Sequence, residues 1–351
     1  MPQTHNDYAQ VPCTPPYCTF ECAAIPPTCP ALPPLPPPPH TPYCGVYPIV
    51  IGLPAAAVVS CVPTKHRHFA PQKSRGAYSF TIAEEAEYKR SYRQSRFAVT
   101  TKKSGWDCLR HYEILGSGTA PYFERLEDAS EGTLRHLPKE SLIKLRSIAD
   151  GWDSDPSLSE FLYLCEISRL LAYTQQHLTT KAVAQYVLDV ALKPSARRIL
   201  FLGGNEGTDY VRDMLLHGMK EVVRERGGVV VDFVRPPHMY WSDDTGPKEW
   251  SNEGLYGLGF TYARWLTAVD DDVDRADIDG RIRAREFDLV VFGSVHRGMP
   301  FLDVVGESYG RDEIVFVDGE DEHGWECEMV KAFKDKGFYF MREIPVCEDG
   351  M

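Results

Sequence analysis

The sequence lacks several signatures by which common protein classes are recognised. No Cys-x-x-Cys pair occurs, which argues against a zinc ribbon, and no Gly-x-Ser-x-Gly motif marks a hydrolase nucleophile. The formal net charge is −12 in 351 residues, so the chain lacks the basic balance of a general nucleic-acid-binding protein. With 43% hydrophobic and 25% charged residues it has a globular composition, and its length predicts about two domains.

The sequence also lacks a long uninterrupted apolar run. The most apolar segment, residues 46–63, is slightly shorter than the about 20 residues that a spanning helix needs, and Pro48 and Pro54 interrupt it. No lysine or arginine precedes it, unlike the basic start of a signal peptide. We therefore favour a cytoplasmic protein, with a membrane anchor at residues 46–63 as the alternative.

Prolines and cysteines are concentrated near the start of the chain. Six of the ten cysteines precede residue 62, and residues 32–39 contain six prolines. Proline fixes φ and has no amide donor, so such a stretch favours an extended conformation over a packed core. We predict a disordered leader at residues 1–75; a PxxP ligand for an SH3-like module is the alternative. We expect the folded part to be free of disulfides, although pairing of the early cysteines in an oxidising compartment stays open.

The rest of the chain alternates short apolar runs with helical patterns. The predicted strands cover residues 96–101, 119–123, 198–202, 228–233, 287–294, 314–318 and 338–343. Strands that alternate with helices predict parallel sheets covered on both faces. We predict an α/β protein with two Rossmann-like modules, at residues 76–150 and 196–351, joined by a helical connection at residues 151–195.

Residues 102–123 form the densest motif, with two lysines, four aromatic residues and three glycines. Asp107 is predicted to cap a short helix over Cys108–Leu115. A carboxylate on that helix can accept hydrogen bonds from both ribose hydroxyls, while nearby cations and the helix N-terminus neutralise a diphosphate. Tryptophan can stack on a base or sugar. The predicted nucleotide-sugar-binding residues are Lys102, Lys103, Trp106, Arg110, Glu113, Gly118 and Pro121. A half-buried helix with a structural Arg110–Glu113 pair is the alternative.

The run Lys103–Leu115, followed by residues 121–123 and 137–139, resembles glycosyltransferase-like proteins of microbes, algae and large viruses. It is also distantly similar to the donor side of exostosin-type and group 1 glycosyltransferases. The runs at 199–202, 287–294, 318–321 and 340–343 look like the other module of these proteins, so the resemblance spans residues 85–351.

The resemblance implies a GT-B fold, in which two Rossmann-like domains face each other across a cleft. It implies a nucleotide-sugar donor as co-substrate, a glycan or other hydroxyl acceptor, no divalent metal and no other cofactor. The order of the modules departs from that pattern, because the donor-side domain of GT-B enzymes is normally C-terminal. A permuted chain, joined halves of neighbouring units and a truncated product are all compatible with this order.

Two residues are candidates for proton transfer. His111 has a side-chain pKa near working pH, and Asp209 follows a glycine loop, residues 203–207, that is either phosphate-binding or a tight strand-to-helix turn. Thr208 is the predicted cap of the next helix. His296 and Arg297 follow another predicted strand and are candidates for substrate contact.

Clustered acidic residues allow two interpretations. Residues 318–321 with His323 either bind a divalent cation or form a solvated acidic loop, and the acidic run 270–274 is predicted to be surface. The leading hypothesis is a glycosyltransferase. A non-catalytic carbohydrate-recognition protein, suggested by the aromatic residues 240–266, is the alternative. A third hypothesis, a nucleotide- or SAM-dependent enzyme built on the second module, is supported only by the glycine loop.

Overall fold

The computed structural model describes residues 20–27, 29, 33–71, 85–240, 263–321 and 327–346. Its strands are β1 (Tyr47–Pro48), β2 (Arg67–Phe69), β3 (Ser95–Thr100), β4 (Ala120–Phe123), β5 (Arg198–Leu202), β6 (Val229–Phe233), β7 (Leu289–Phe292), β8 (Ile314–Asp318) and β9 (Phe338–Met341). Its helices are α1 (Glu85–Arg93), α2 (Leu109–Gly116), α3 (Lys139–Asp150), α4 (Pro156–His177), α5 (Thr180–Val190), α6 (Tyr210–Glu225), α7 (Ala268–Asp271), α8 (Ile278–Arg283), α9 (Leu302–Ser308) and α10 (Glu328–Phe333).

The strands form two parallel sheets. The larger sheet has the order β1-β9-β8-β7-β5-β6, and the smaller has the order β2-β3-β4. Helices connect neighbouring strands, as parallel pairing requires. The predicted α/β class with parallel sheets is therefore confirmed. We call the edge at which the parallel strands of a sheet end its carboxyl edge.

The sequence of the central strands explains why helices cover both faces of the larger sheet. Successive side chains of a strand point to opposite faces. In β5, Ile199 and Phe201 belong to one buried cluster, whereas Leu200 and Leu202 belong to another. The cluster on the Ile199 face also contains Phe97 of β3. One continuous core therefore joins the smaller sheet to one face of the larger sheet.

The apolar segment 46–63, predicted to be part of a disordered leader or an anchor, lies in the folded core. Ile49, Ile51 and Leu53 are each at most 1% exposed, and β1 pairs with β9 at the far end of the chain. The segment 67–69 likewise forms β2. Both strands are two or three residues long and depend on distant partners, which explains why local sequence patterns did not reveal them. Among the described residues, none of the helices has both the length and the apolar character needed to cross a membrane.

Among the described residues, the disulfides Cys22–Cys61 and Cys29–Cys165 attach the proline-rich segment to the rest of the protein. Cys22 pairs with Cys61, and Cys29 pairs with Cys165 of α4. The side chain of Arg169, one helical turn after Cys165, donates a hydrogen bond to the carbonyl of Pro33. The expectation of a folded part without disulfides is therefore wrong at Cys165. The pairing joins cysteines 136 positions apart, which no local spacing indicates.

The helix caps match the sequence in one case and differ in two. Asp155 accepts a hydrogen bond from the amide of Leu158 and caps α4, with Pro156 as the first helical residue, as predicted. Helix α6 is capped by Asp209 and not by Thr208. Helix α2 has Cys108 at its N-cap, because the side chain of Asp107 is used elsewhere.

Candidate functional site

The β3–α2 loop, residues 101–108, lies where the carboxyl edges of the two sheets meet. Its Gly105 is so close to the larger sheet that an added Cβ would lie 2.6 Å from Glu343 Oε1 and 3.1 Å from the carbonyl oxygen of Asp321. The amide of Asp107 donates a hydrogen bond to Glu343 Oε1 at 2.7 Å. Asp321 lies three residues after the end of β8, and Glu343 lies two residues after the end of β9. The loop is therefore held against the carboxyl edge of the larger sheet.

The predicted phosphate-binding cations lie on this loop and the turn that follows it. Lys102 and Lys103 are exposed, and Arg110 is half-buried on the first turn of α2. Trp106 is half-buried and packs against the main core. Glu113 lies one turn after Arg110 and accepts a hydrogen bond of 2.6 Å from the hydroxyl of Tyr88 in α1. This partner was not anticipated, because Tyr88 lies 25 positions earlier.

Two other predicted binding residues lie away from this loop. Gly118 follows the far end of α2, an eight-residue helix about 12 Å long, and an added Cβ there would lie 2.7 Å from Cδ of Pro63. Pro121 is buried within β4, where it pairs with Ala98. Because β4 is an edge strand, the missing amide of proline costs it no sheet hydrogen bond on the outer side. The structure therefore does not bring either residue to the β3–α2 loop.

His111, predicted to transfer protons, is fully buried in the structure. Its Nε2 donates a hydrogen bond to the Trp106 carbonyl at 2.7 Å, and its Nδ1 accepts one from the Thr100 hydroxyl at 2.9 Å. Burial lowers the pKa of His111 to about 4, so the ring is neutral at physiological pH. Cys108 Sγ lies 3.3 Å from Nε2, within the same packed cluster. The imidazole therefore holds the β3–α2 loop in place, and its acid–base role stays a prediction.

The glycine loop after β5 is shaped by a buried arginine. Arg212 is 1% exposed and donates hydrogen bonds to the carbonyls of Gly203 and Asn205, each at 2.9 Å, and also to that of Gly207. Asp213 offsets this charge, with its Oδ1 2.7 Å from Arg212 Nε. The loop is thus folded around an internal cation. This arrangement favours the tight-turn alternative over a phosphate cradle.

The loop after β5 packs directly on the loop after β7. An added Cβ on Gly204, which has a φ of +78°, would lie 2.6 Å from the carbonyl oxygen of Gly298. Only glycine fits this conformation and this approach. The chain runs from β5 to β6 on one side and from β7 to β8 on the other, so the connections after the adjacent strands β5 and β7 leave in opposite directions. Ligands of open α/β sheets bind at such a switch point.

Asp209, the second predicted catalytic residue, lies at this switch point. Its Oδ1 accepts a hydrogen bond from the Arg212 amide at 3.0 Å, which caps α6. Its Oδ2 lies 3.7 Å from Nε of Arg297, in the loop after β7. An added Cβ on Gly319 would lie 3.3 Å from Oδ1. The loops after β5, β7 and β8 therefore converge around this carboxylate.

A histidine–carboxylate pair adjoins Asp209. His296 Nε2 lies 2.8 Å from Asp318 Oδ1, and the hydroxyl of Tyr339 donates to Asp318 Oδ2 at 2.9 Å. The Asp318 side chain is fully buried, whereas that of His296 is 16% exposed. Sequence reasoning considered these two residues separately. Their pairing depends on β7 and β8 being neighbours, because His296 follows β7 and Asp318 is the last residue of β8.

Two buried carboxyl groups lie at the contact between the β3–α2 loop and the larger sheet: Asp107 in the loop and Glu343 after β9. Asp107 accepts hydrogen bonds from the Ile51 amide at 3.0 Å and the Tyr112 hydroxyl at 2.5 Å. Burial raises the pKa of Asp107 to about 6 and that of Glu343 to about 7. The buried guanidinium of Arg342 opposes both shifts and also pairs with Asp321. These groups connect the two carboxyl edges through polar contacts.

The described part of the acidic segment 318–323 ends at Asp321. Asp318 holds His296, and Asp321 pairs with Arg342, while His323 lies outside the described residues. Within the described ranges, no three or more histidine, cysteine or acidic side chains are grouped as a metal ion would require. Asp270, predicted to be surface, is buried and pairs with Arg224. The aromatic segment 241–262 also lies outside the described residues.

Comparison of the chain with protein-family models, with curated proteins and with solved structures gave no match.

Proposed function

We propose that this protein transfers a sugar from a nucleotide-sugar donor to a hydroxyl acceptor, and that the β3–α2 loop receives the diphosphate of the donor. The observation that carries the proposal is the contact between the loop and the carboxyl edge of the larger sheet at Glu343 and Asp321. Ligands of parallel α/β sheets bind at carboxyl edges, and here two such edges meet. A donor on one edge and an acceptor on the other would lie side by side.

The chain's own residues supply the electrostatics that sugar transfer needs. The bond from the sugar to the phosphate breaks with development of negative charge on the leaving diphosphate. Lys102, Lys103 and Arg110 lie together on the loop and the first turn of α2. Cations and helix-terminal amides at this position stabilise that charge. Glu113, one turn further on, is the candidate acceptor for the ribose hydroxyls.

The test is the binding of UDP, GDP and their common sugar conjugates, measured by isothermal titration calorimetry. Lys103→Ala removes an exposed cation on the loop, and Glu113→Gln removes a charge but keeps an acceptor for Tyr88. Lys336→Ala is the matched control, because Lys336 is exposed just before the amino end of β9, at the opposite edge of the sheet.

We expect wild type and Lys336→Ala to bind at least one of these nucleotides equally. Lys103→Ala should weaken that binding about tenfold, the size of one charge-assisted hydrogen bond. Glu113→Gln should weaken the binding of the nucleotide but leave the binding of inorganic pyrophosphate unchanged. Absence of binding in wild type, or equal binding by Lys103→Ala and Lys336→Ala, contradicts the donor site.

A further inference from the structure

The pair His296 and Asp318 has the geometry of a general base and its positioning carboxylate. A histidine that donates from Nε2 to a buried carboxylate is fixed as the tautomer with an acceptor lone pair on Nδ1. Asp318 is itself fixed, because its two oxygens accept from the Tyr339 hydroxyl and, at 3.3 Å, from the Glu320 amide. The carboxylate therefore orients the ring and stabilises the imidazolium that forms on protonation.

The position of the pair relative to the β3–α2 loop suits sugar transfer. Asp318, which holds His296, lies only three positions before Asp321, whose carbonyl oxygen is close to Gly105 of the loop. Three residues of chain span at most about 10 Å. The imidazole also lies beside the switch point formed by the loops after β5 and β7. It thus lies on the larger sheet, whereas the cations lie on the loop and helix that follow β3 of the smaller sheet.

We propose that His296 is the general base that deprotonates the acceptor hydroxyl, with Asp318 as its positioning residue. This assignment rests on the function proposed above. The proton of the acceptor O–H moves to His296 Nδ1 as the oxygen bonds to the anomeric carbon. The bond from that carbon to the phosphate oxygen breaks, and its electron pair leaves with the nucleoside diphosphate. Attack from the side of the larger sheet, opposite the diphosphate, inverts the anomeric configuration.

The charges around the ring make His296 a stronger base. Burial lowers the pKa of His296, but the hydrogen bond and charge of Asp318, with the charges of Glu320 and Asp209, outweigh burial and raise the pKa overall. Arg297 is the neighbouring cation, and it faces Asp209. The base is lost when the ring is protonated. The transfer rate should therefore fall as the pH decreases through this raised pKa.

The experiment measures nucleoside diphosphate release from the UDP- or GDP-sugar that binds, with water and a panel of free monosaccharides as acceptors. His296→Asn and His296→Gln remove the base, and Asp318→Asn removes the positioning charge. His66→Asn is the control, since His66 is exposed just before the amino end of β2, far from either carboxyl edge. Thermal unfolding establishes that each variant is folded, and Tyr339→Phe replaces Asp318→Asn if the latter is not.

We expect both His296 variants to bind the nucleotide as wild type does and to release diphosphate at least about 100-fold more slowly. Asp318→Asn should also shift the acid limb of the pH–rate profile to lower pH, which a merely structural role would not do. Equal rates for wild type and a folded His296 variant overturn the assignment, as does a wild type that binds the nucleotide-sugar without any release. A wild type that binds no nucleotide at all refutes the proposed function instead.

Discussion

The backbone amide of Asp107 donates a hydrogen bond to Glu343 Oε1 across 236 positions of sequence. Asp107 lies in the loop between β3 of the smaller sheet and α2, and Glu343 follows β9, the last strand of the larger sheet. The bond therefore connects the two carboxyl edges at the point where we place the donor. Because Glu343 is buried and titratable, the protonation of its carboxyl group can affect this contact.

Replacing Glu343 with Gln should change how stability depends on pH. The pKa of Glu343 is raised from 4.5 in a model compound to about 7 in the fold, so the folded state binds this proton more tightly than the unfolded state. The resulting stabilisation is present below about pH 4.5 and is lost as the pH rises through 7. The wild type should lose on the order of 2 kcal/mol relative to Glu343→Gln between pH 5 and pH 8.

Urea unfolding at intervals of one pH unit measures this difference. Glu140→Gln is the control, because Glu140 is an exposed carboxylate in the first turn of α3. It should follow the wild-type curve. Parallel curves for wild type and Glu343→Gln would show that the carboxyl group titrates no differently in the two states.

Gly105→Ala should separate the β3–α2 loop from the larger sheet. The new Cβ would lie 2.6 Å from Glu343 Oε1 and 3.1 Å from the Asp321 carbonyl, and the second atom is backbone that cannot rotate away. We expect a loss of about 1–3 kcal/mol in the free energy of unfolding, together with weaker nucleotide binding. Gly306→Ala in α9 is the control, since nothing lies within 4 Å of its Cβ. Unchanged stability and unchanged binding in Gly105→Ala would mean that the two edges are not in contact.

The regular part of the fold was predictable because its signals are local. Strands β5 and β8 cover the residues that their apolar runs predict, Arg198–Leu202 and Ile314–Asp318. Buried parallel strands need continuous apolar residues, and such runs are visible without knowledge of their partners. β1 was missed because its two residues become a strand only beside β9. The order of strands, and so the neighbours of each site residue, is a nonlocal property.

The same distinction applies to the candidate site. Lys102, Lys103 and Arg110 were identified from one motif because they are neighbours along the chain. The contacts of His111 were not predictable, because the motif does not reveal that the Thr100 hydroxyl and the Trp106 carbonyl occupy both ring nitrogens. The pairing of His296 with Asp318 depends on adjacency of β7 and β8. Distances of this kind follow from sheet order and not from spacing.

Removing the disulfide between Cys29 and Cys165 should destabilise the protein. The cross-link closes a long loop and limits the conformations of the unfolded chain, which typically contributes about 3 kcal/mol. Cys165→Ser should therefore lower the melting temperature measured by circular dichroism, and a reducing agent, which also opens Cys22–Cys61, should lower that of wild type by at least as much. Cys327→Ala is the control, because Cys327 is not disulfide-bonded. A wild type that melts identically with and without reductant would contradict the pairing.

Asp232→Asn should be strongly destabilising, because it leaves the buried ammonium group of Lys220 without its counterion. Lys220 Nζ lies 2.8 Å from Asp232 Oδ1, and these side chains are only 4% and 1% exposed. Arg275 donates to the same carboxylate at 2.9 Å. Breaking a buried pair by removing one partner costs about 3–5 kcal/mol. Asp279→Asn, at an exposed pair with Arg283, should change the free energy of unfolding by at most about 0.5 kcal/mol.

The pH dependence of this variant distinguishes loss of charge pairing from loss of packing. Burial lowers the pKa of Lys220, and the Asp232 charge and hydrogen bond partly restore it. Without that carboxylate the pKa of Lys220 falls further, so the folded variant releases the lysine proton at a lower pH than the unfolded chain does. Its stability then increases with pH more steeply than that of wild type, and the difference between the two should narrow between pH 7 and pH 10. A constant difference across this range would mean that Asp232 stabilises the core by shape and hydrogen bonding alone.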